Sequence, residues 1–180
     1  MRHAGRVAVA GLVAVLGLGC SGGTGVSGGD GVPDGSEGDP AGEGPDRGPR
    51  TVVVGDAPPV RAEVADSAAE RGHGLMDRDR VPPGTGMLFV FDGPTQSDFY
   101  MFRTRVPLSI AFVDGTRVVG TREMPPCTAD APEDCPTYGV DAPYTLAVEA
   151  PAGHFSTAGV RTGDRVTVQP PLPGTPRRSG

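Results

Sequence analysis

From residue 51 the apolar positions fall into short runs, several with a period of two. Val52, Val53 and Val54 form one run, and Val60, Ala62 and Val64 alternate with Arg61 and Glu63, as in a half-buried strand. Asp66-Ser67 then offers a helix N-cap, and Glu70, three residues beyond Ser67, completes a capping box. This predicts a short helix ending near Gly74. Met87–Phe91 is an unbroken apolar run bounded by Gly86 and Asp92-Gly93, which predicts a fully buried strand. Phe99–Phe102 and Leu108–Val113 are further strands, and Asp114-Gly115 is a hairpin turn leading into Arg117–Met124. Tyr144–Glu149 and Arg165–Val168 complete the set, with one helical turn near His154–Ala158. Short strands in this number, with one or two small helices, predict a β-rich α+β fold whose sheet forms a small barrel or half-barrel.

Upstream the periodicity vanishes. Gly (29) and Pro (20) make up about a quarter of the 180 residues, a low-complexity level, and they crowd into residues 21–50. Val26 and Val32 are the large apolar side chains of that window, too few to offset its ordering entropy. Residues 51–169 therefore read as one globular domain, followed by a Pro-rich tail at 170–180. Multi-domain enzymes, coiled coils, helical repeats and multi-span membrane proteins are excluded. Every positive charge is Arg, and the acids and arginines of 51–169 are interspersed, leaving no basic stripe to neutralise phosphates. Nucleic acid is thus not an expected partner.

The first 19 residues read as an export signal. Arg2 and Arg6 precede Val7–Gly19, a run of apolar residues and glycines too short to span a bilayer but suited to a secretory h-region. The run ends Leu16-Gly17-Leu18-Gly19-Cys20, which resembles the lipobox of bacterial lipoproteins, in which the Cys is lipidated. Gly17 stands where that pattern has Leu, and the alternative is an ordinary cleaved signal with Cys20 incidental. Residues 20–50 would then be a flexible acidic tether spanning roughly 30 Å, holding an extracytoplasmic domain clear of the membrane to which its lipid is anchored. Lipid on Cys20 leaves Cys127 and Cys135 as a pair. In an oxidising compartment they read as a disulfide, with a redox pair or metal site as the alternatives.

The chain resembles a known family over nearly all of residues 60–168. RAEVADSAAERGHGLMDR (Arg61–Arg78), GMLFVF (Gly86–Phe91), DFYM (Asp98–Met101), VPLSIAFVD (Val106–Asp114), EMPPC (Glu123–Cys127), CPTY (Cys135–Tyr138) and GDRV (Gly163–Val166) occur in the order of the domain-of-unknown-function 192 family. The resemblance implies a compact, β-rich domain, often exported, and no particular activity. The chain departs from the pattern where the family is most polar. Phe102, Arg103 and Thr104 stand in place of the family's Lys-Asn-Thr, and Ser109 stands in place of an acid.

Chemistry-bearing motifs are sparse. Within residues 51–169 there is no GxSxG, SxxK, HExxH, Walker loop or Rossmann fingerprint, which weighs against an enzyme, and no cofactor is implied. Met76, Met87, Met101 and Met124 could in principle hold Cu(I), but none has MxxM spacing and Met76 alone has a His three residues before it, so core packing is the simpler role. Arg78 and Arg103, with Met76 and Met101 beside them, are the candidate ligand-binding residues, because guanidinium forks recognise carboxylates and sugar acids. The expectation is an envelope module that binds a small anionic ligand or scaffolds an envelope protein. The alternative is a hydrolase acting on an envelope carbohydrate or peptide.

Overall fold

The computed structural model describes residues 48–172; the signal, Cys20, most of the tether and the end of the tail lie outside them. Nine strands are β1 (Arg50–Val54), β2 (Val60–Ala65), β3 (Thr85–Thr95), β4 (Phe99–Tyr100), β5 (Leu108–Asp114), β6 (Arg117–Met124), β7 (Thr137–Tyr138), β8 (Tyr144–Pro151) and β9 (Val166–Gln169). Two helices, α1 (Ala68–His73) and α2 (His154–Thr157), punctuate them. Seven strands form one sheet in the order β6-β5-β8-β3-β2-β1-β9, while β4 and β7 make a separate ribbon. All pairings are antiparallel except β2 with β3. The sheet is a curled half-barrel, as the alternation predicts. Its two edge strands are drawn together where Arg117 bridges Arg165 and Val166 N–H donates to the Thr116 carbonyl at 2.9 Å.

Curling gives the sheet two buried faces. On one, Val148 of β8 lies opposite Leu88 of β3 and Ala111 of β5, in a cluster with Val52, Val60 and Val113 that Phe155 of α2 plugs. One residue earlier, Ala147 lies opposite Phe89 and Phe112 on the other face, with Met101, Met124 and Tyr144. Central strands with two buried faces need near-continuous apolar sequence, which is why MLFVF has no polar residue and LSIAFV only the hydrogen-bonded Ser109.

The second face is covered by α1, the segment after it, and the β4–β7 ribbon. The capping box starts α1 as expected: Ser67 Oγ accepts from Glu70 N–H at 3.2 Å, and the Glu70 carboxylate accepts from Ser67 N–H at 2.9 Å. Those bonds with Ser67 hold the Glu70 carboxyl down at about 2. Gly74 ends the helix at φ +52, a conformation open to glycine, and turns Leu75 into the core. Two local readings differ in detail. Phe99–Phe102 is a strand over Phe99–Tyr100, because the chain turns through Arg103 at φ +54. The two-residue β7 has no periodicity by which a sequence could announce it. A disulfide joins Cys127 to Cys135 ahead of β7, and Cys127 N–H donates to the Met101 carbonyl at 3.4 Å, so the covalent loop is tied to the end of β4.

Candidate functional site

Between the second sheet face and its cover lies a cavity of about 200 Å³. Its walls are aromatic and aliphatic: Phe89 and Phe91 from β3, Phe99 from β4, and Leu75 and Met76 from the segment after α1. The rings are held edge-to-face, Phe89 against Phe99 with centroids 5.0 Å apart and Phe91 against Tyr144 at 5.4 Å. Such contacts contribute about 0.5–1.5 kcal/mol each beyond area burial and fix the wall's shape. Exposed side chains form the rim, with His73 from α1, Ser97 and Asp98 before β4, and Tyr100 on it. Tyr144 donates its hydroxyl to the Ser97 carbonyl. Burial and the nearby Asp98 push the Tyr144 phenol up to about 12, so it stays protonated as that donor.

Two polar residues reach the cavity's interior, Thr104 and Glu149, each about 5% exposed. Glu149 lies on β8 directly between Met87 of β3 and Ile110 of β5. Among the described residues no group donates a hydrogen bond to its carboxyl or pairs with it, and the carboxyl opens onto the cavity. Burial alone pushes that carboxyl up to about 8. A carboxyl so placed holds its proton at neutral pH and gives up its charge to avoid desolvation. Its strand approaches β3 very closely: a Cβ at Gly86 would stand 2.0 Å from the Glu149 carbonyl oxygen.

A model of the domain of unknown function 192, described as an uncharacterized ACR, matches residues 51–168. The chain belongs to the DUF192 family. Two solved structures resemble this DUF192 chain. One is a protein of unknown function from Novosphingobium aromaticivorans, 30% identical, with a TM-score of 0.54 over 66% of this chain and 83% of its own. The other, from Sinorhizobium meliloti and described as a "putative transcription regulator", is 25% identical with a TM-score of 0.58 over 67% of this chain and 92% of its own. No curated protein matches.

The DUF192 scaffold distributes the four sequence candidates unevenly. Met76 lines the cavity and Met101 is buried in the core beneath it, 1% exposed. Arg78 forks onto Glu63 of β2 through two bonds of 2.7 Å, and Arg103 pairs with Asp77 at 2.7 Å. Neither guanidinium lines the cavity. Arg71 is the arginine that does. It donates to the Asp66 and Val90 carbonyls and lies 5.1 Å over the Phe91 ring.

The departures from the DUF192 pattern also find physical reasons. At position 103 the backbone is left-handed, where Asn is well tolerated, so the family's Asn suits a turn there, and Arg103 fills it at some strain. Ser109 donates to the carboxylate of Glu123, its cross-strand partner, at 2.9 Å. The acid is thus supplied from the neighbouring strand, where it also accepts from Gly153 N–H at 3.0 Å and Ser156 Oγ at 2.9 Å and caps α2.

Glu149 was the residue pattern reading passed over. Its signal was a single charge in Tyr144–Pro151, a strand whose neighbours Ala147, Val148 and Ala150 are apolar on both alternates. Among the described residues no group of three His, Cys, Asp or Glu side chains comes together as metal ligands. Met87, Met101 and Met124 are buried together in the apolar core.

Proposed function

We propose that this chain is a small-molecule-binding module of the cell envelope, and that its binding site is the cavity above Glu149. The observation that carries this reading is the combination of an aromatic-walled cavity with one buried, unpartnered carboxyl on its wall. Leaving such a group unsatisfied costs about 1–3 kcal/mol, which a fold without use for the group would save by an apolar residue. An engineered cavity of about 150 Å³ takes benzene, so about 200 Å³ suits a ligand of one ring and a few further atoms. The cavity's hydroxyls favour binding over nucleophilic catalysis: Ser97 Oγ is bonded to Thr95 Oγ1, and Thr104 Oγ1 faces the Phe102 carbonyl.

The expected anionic ligand finds weaker support, because Arg78 and Arg103 already hold carboxylates of their own. A general-acid role for Glu149 in an envelope hydrolase is the second reading, supported by a carboxyl that keeps its proton near neutrality. Envelope placement and a lipid on Cys20 rest on the signal-like start and are supported by the Cys127–Cys135 disulfide, a feature of oxidising compartments. The test is to take the protein from its own envelope under mild conditions and compare native with denatured mass. A ligand-sized non-covalent increment is expected. Its absence from both native protein and protein offered a library of ring-sized compounds would overturn the reading. A diacylglyceryl increment on Cys20 in the denatured mass tests the anchor separately.

A further inference from the structure

The chemical class of the ligand is written in the cavity's charges. The rim carries one cation, Arg71, and one anion, Asp98, with His73 and Tyr100 as its other titratable groups. Arg71 is fixed at the rim by two backbone carbonyls, both bonded through Nη1, and by the Phe91 face, and it does not reach the Glu149 carboxyl. The interior carries one ionisable group, Glu149, whose flanking cross-strand neighbours Met87 and Ile110 offer no charge and no donor. On its own strand the nearest titratable group is Tyr144, whose hydroxyl is committed to Ser97. Inside the cavity, therefore, stands one carboxyl that no protein group meets. The rings around it present π faces, and one of them, Phe91, already accepts a guanidinium.

We infer that the cavity takes a compact organic cation, a protonated primary amine on a single-ring apolar body, with its N–H groups on the Glu149 carboxylate and its ring against Phe89, Phe91 and Phe99. The inference rests on the cavity reading above and names its ligand class. An anion would hold Glu149 in its neutral form and pass the Asp98 carboxylate at the rim, and a purely apolar ligand would leave the carboxyl unpaired. The ammonium supplies both the charge and the donors that the interior beside Glu149 lacks.

The proton balance follows. In the free protein burial keeps the Glu149 carboxyl protonated, at about 8. When the ammonium binds, the carboxylic O–H breaks, the proton leaves to solvent, and the carboxylate pairs with a ligand that keeps its own proton. At pH 7 binding therefore releases about 0.9 proton, falling to about half at pH 8. Affinity rises about tenfold from pH 6 to pH 7 and then levels off above pH 8.

The test is isothermal titration of the full chain with benzylamine, benzyl alcohol and benzoate as shape-matched probes, in two buffers of different ionisation enthalpy. Expected are benzylamine binding at least tenfold tighter than the other two, the proton release given above, and loss of the preference in Glu149→Gln while benzyl alcohol still binds that variant. If benzyl alcohol or benzoate binds as well as benzylamine with no proton release, the cation inference is overturned and the cavity reading stands. If none of the three binds in the millimolar range, the cavity reading itself fails. Should Glu149→Gln not fold, the wild-type pH dependence and proton release decide the matter alone.

Discussion

The buried carboxyl makes stability itself a probe of the site. With the ordinary carboxyl value of 4.5 in the unfolded chain and about 8 in the fold, Glu149 binds more proton folded than unfolded between those limits. Its raised value means that stability is fully present below about pH 4.5 and is lost as pH rises through about 8. Linkage puts the loss at about 3 kcal/mol by pH 7, most of it falling between pH 5 and pH 7. Against a typical domain stability of about 5–15 kcal/mol this is a large effect. Other carboxylates work in the opposite sense, since Glu63 is held low by Arg78 and Glu70 by Ser67. The quantity to measure is therefore the difference between wild type and Glu149→Gln, in urea unfolding with the disulfide intact, from about pH 5 to pH 8. The variant should gain on wild type steadily across that range, ending about 2–4 kcal/mol better placed than at the acid end. A difference that stays flat with pH would refute the claim that Glu149 is buried without a partner.

Three further outcomes are expected. Gly86→Ala drives a Cβ to 2.0 Å from the Glu149 carbonyl and 3.0 Å from Val60 Cγ1, so β3 must shift; thermal unfolding should show a loss of about 1–3 kcal/mol. Glu123→Ala removes the acceptor shared by Ser109, Gly153 and Ser156 and should cost about 1–3 kcal/mol in the same assay. Opening the Cys127–Cys135 loop by Cys→Ser at both positions should cost about 2.5 kcal/mol in denaturant unfolding, and amide exchange should rise first in the β4–β7 ribbon that the loop supports.

The strands were legible because burial writes a period of two, or an unbroken apolar run, into the chain. Val60–Val64 shows the first and Met87–Phe91 the second. Caps were legible for the same local reason: Ser67 and Glu70 meet across three residues. The site was less so, because its partners meet only in the fold. Arg78 looks like a free cation until β2 brings Glu63 beside it from 15 residues upstream. Glu149 looks like one polar alternate of a half-exposed strand until β8 is seated between β3 and β5 with both faces covered. The fold class could therefore be read from periodicity, whereas the ionisation of the cavity depended on which strands are central, and spacing along the chain does not encode that.

The most direct test of the binding reading is a carbon-13 NMR titration of the Glu149 side-chain carboxyl, assigned by its disappearance in Glu149→Gln. In the free protein the midpoint should lie near 8, and saturating benzylamine should move it down by more than about two units as the ammonium takes up the carboxylate. A midpoint near the ordinary 4.5, unmoved by the amine, would mean that water or a protein donor already serves this group, and would contradict the reading of the cavity as a ligand site.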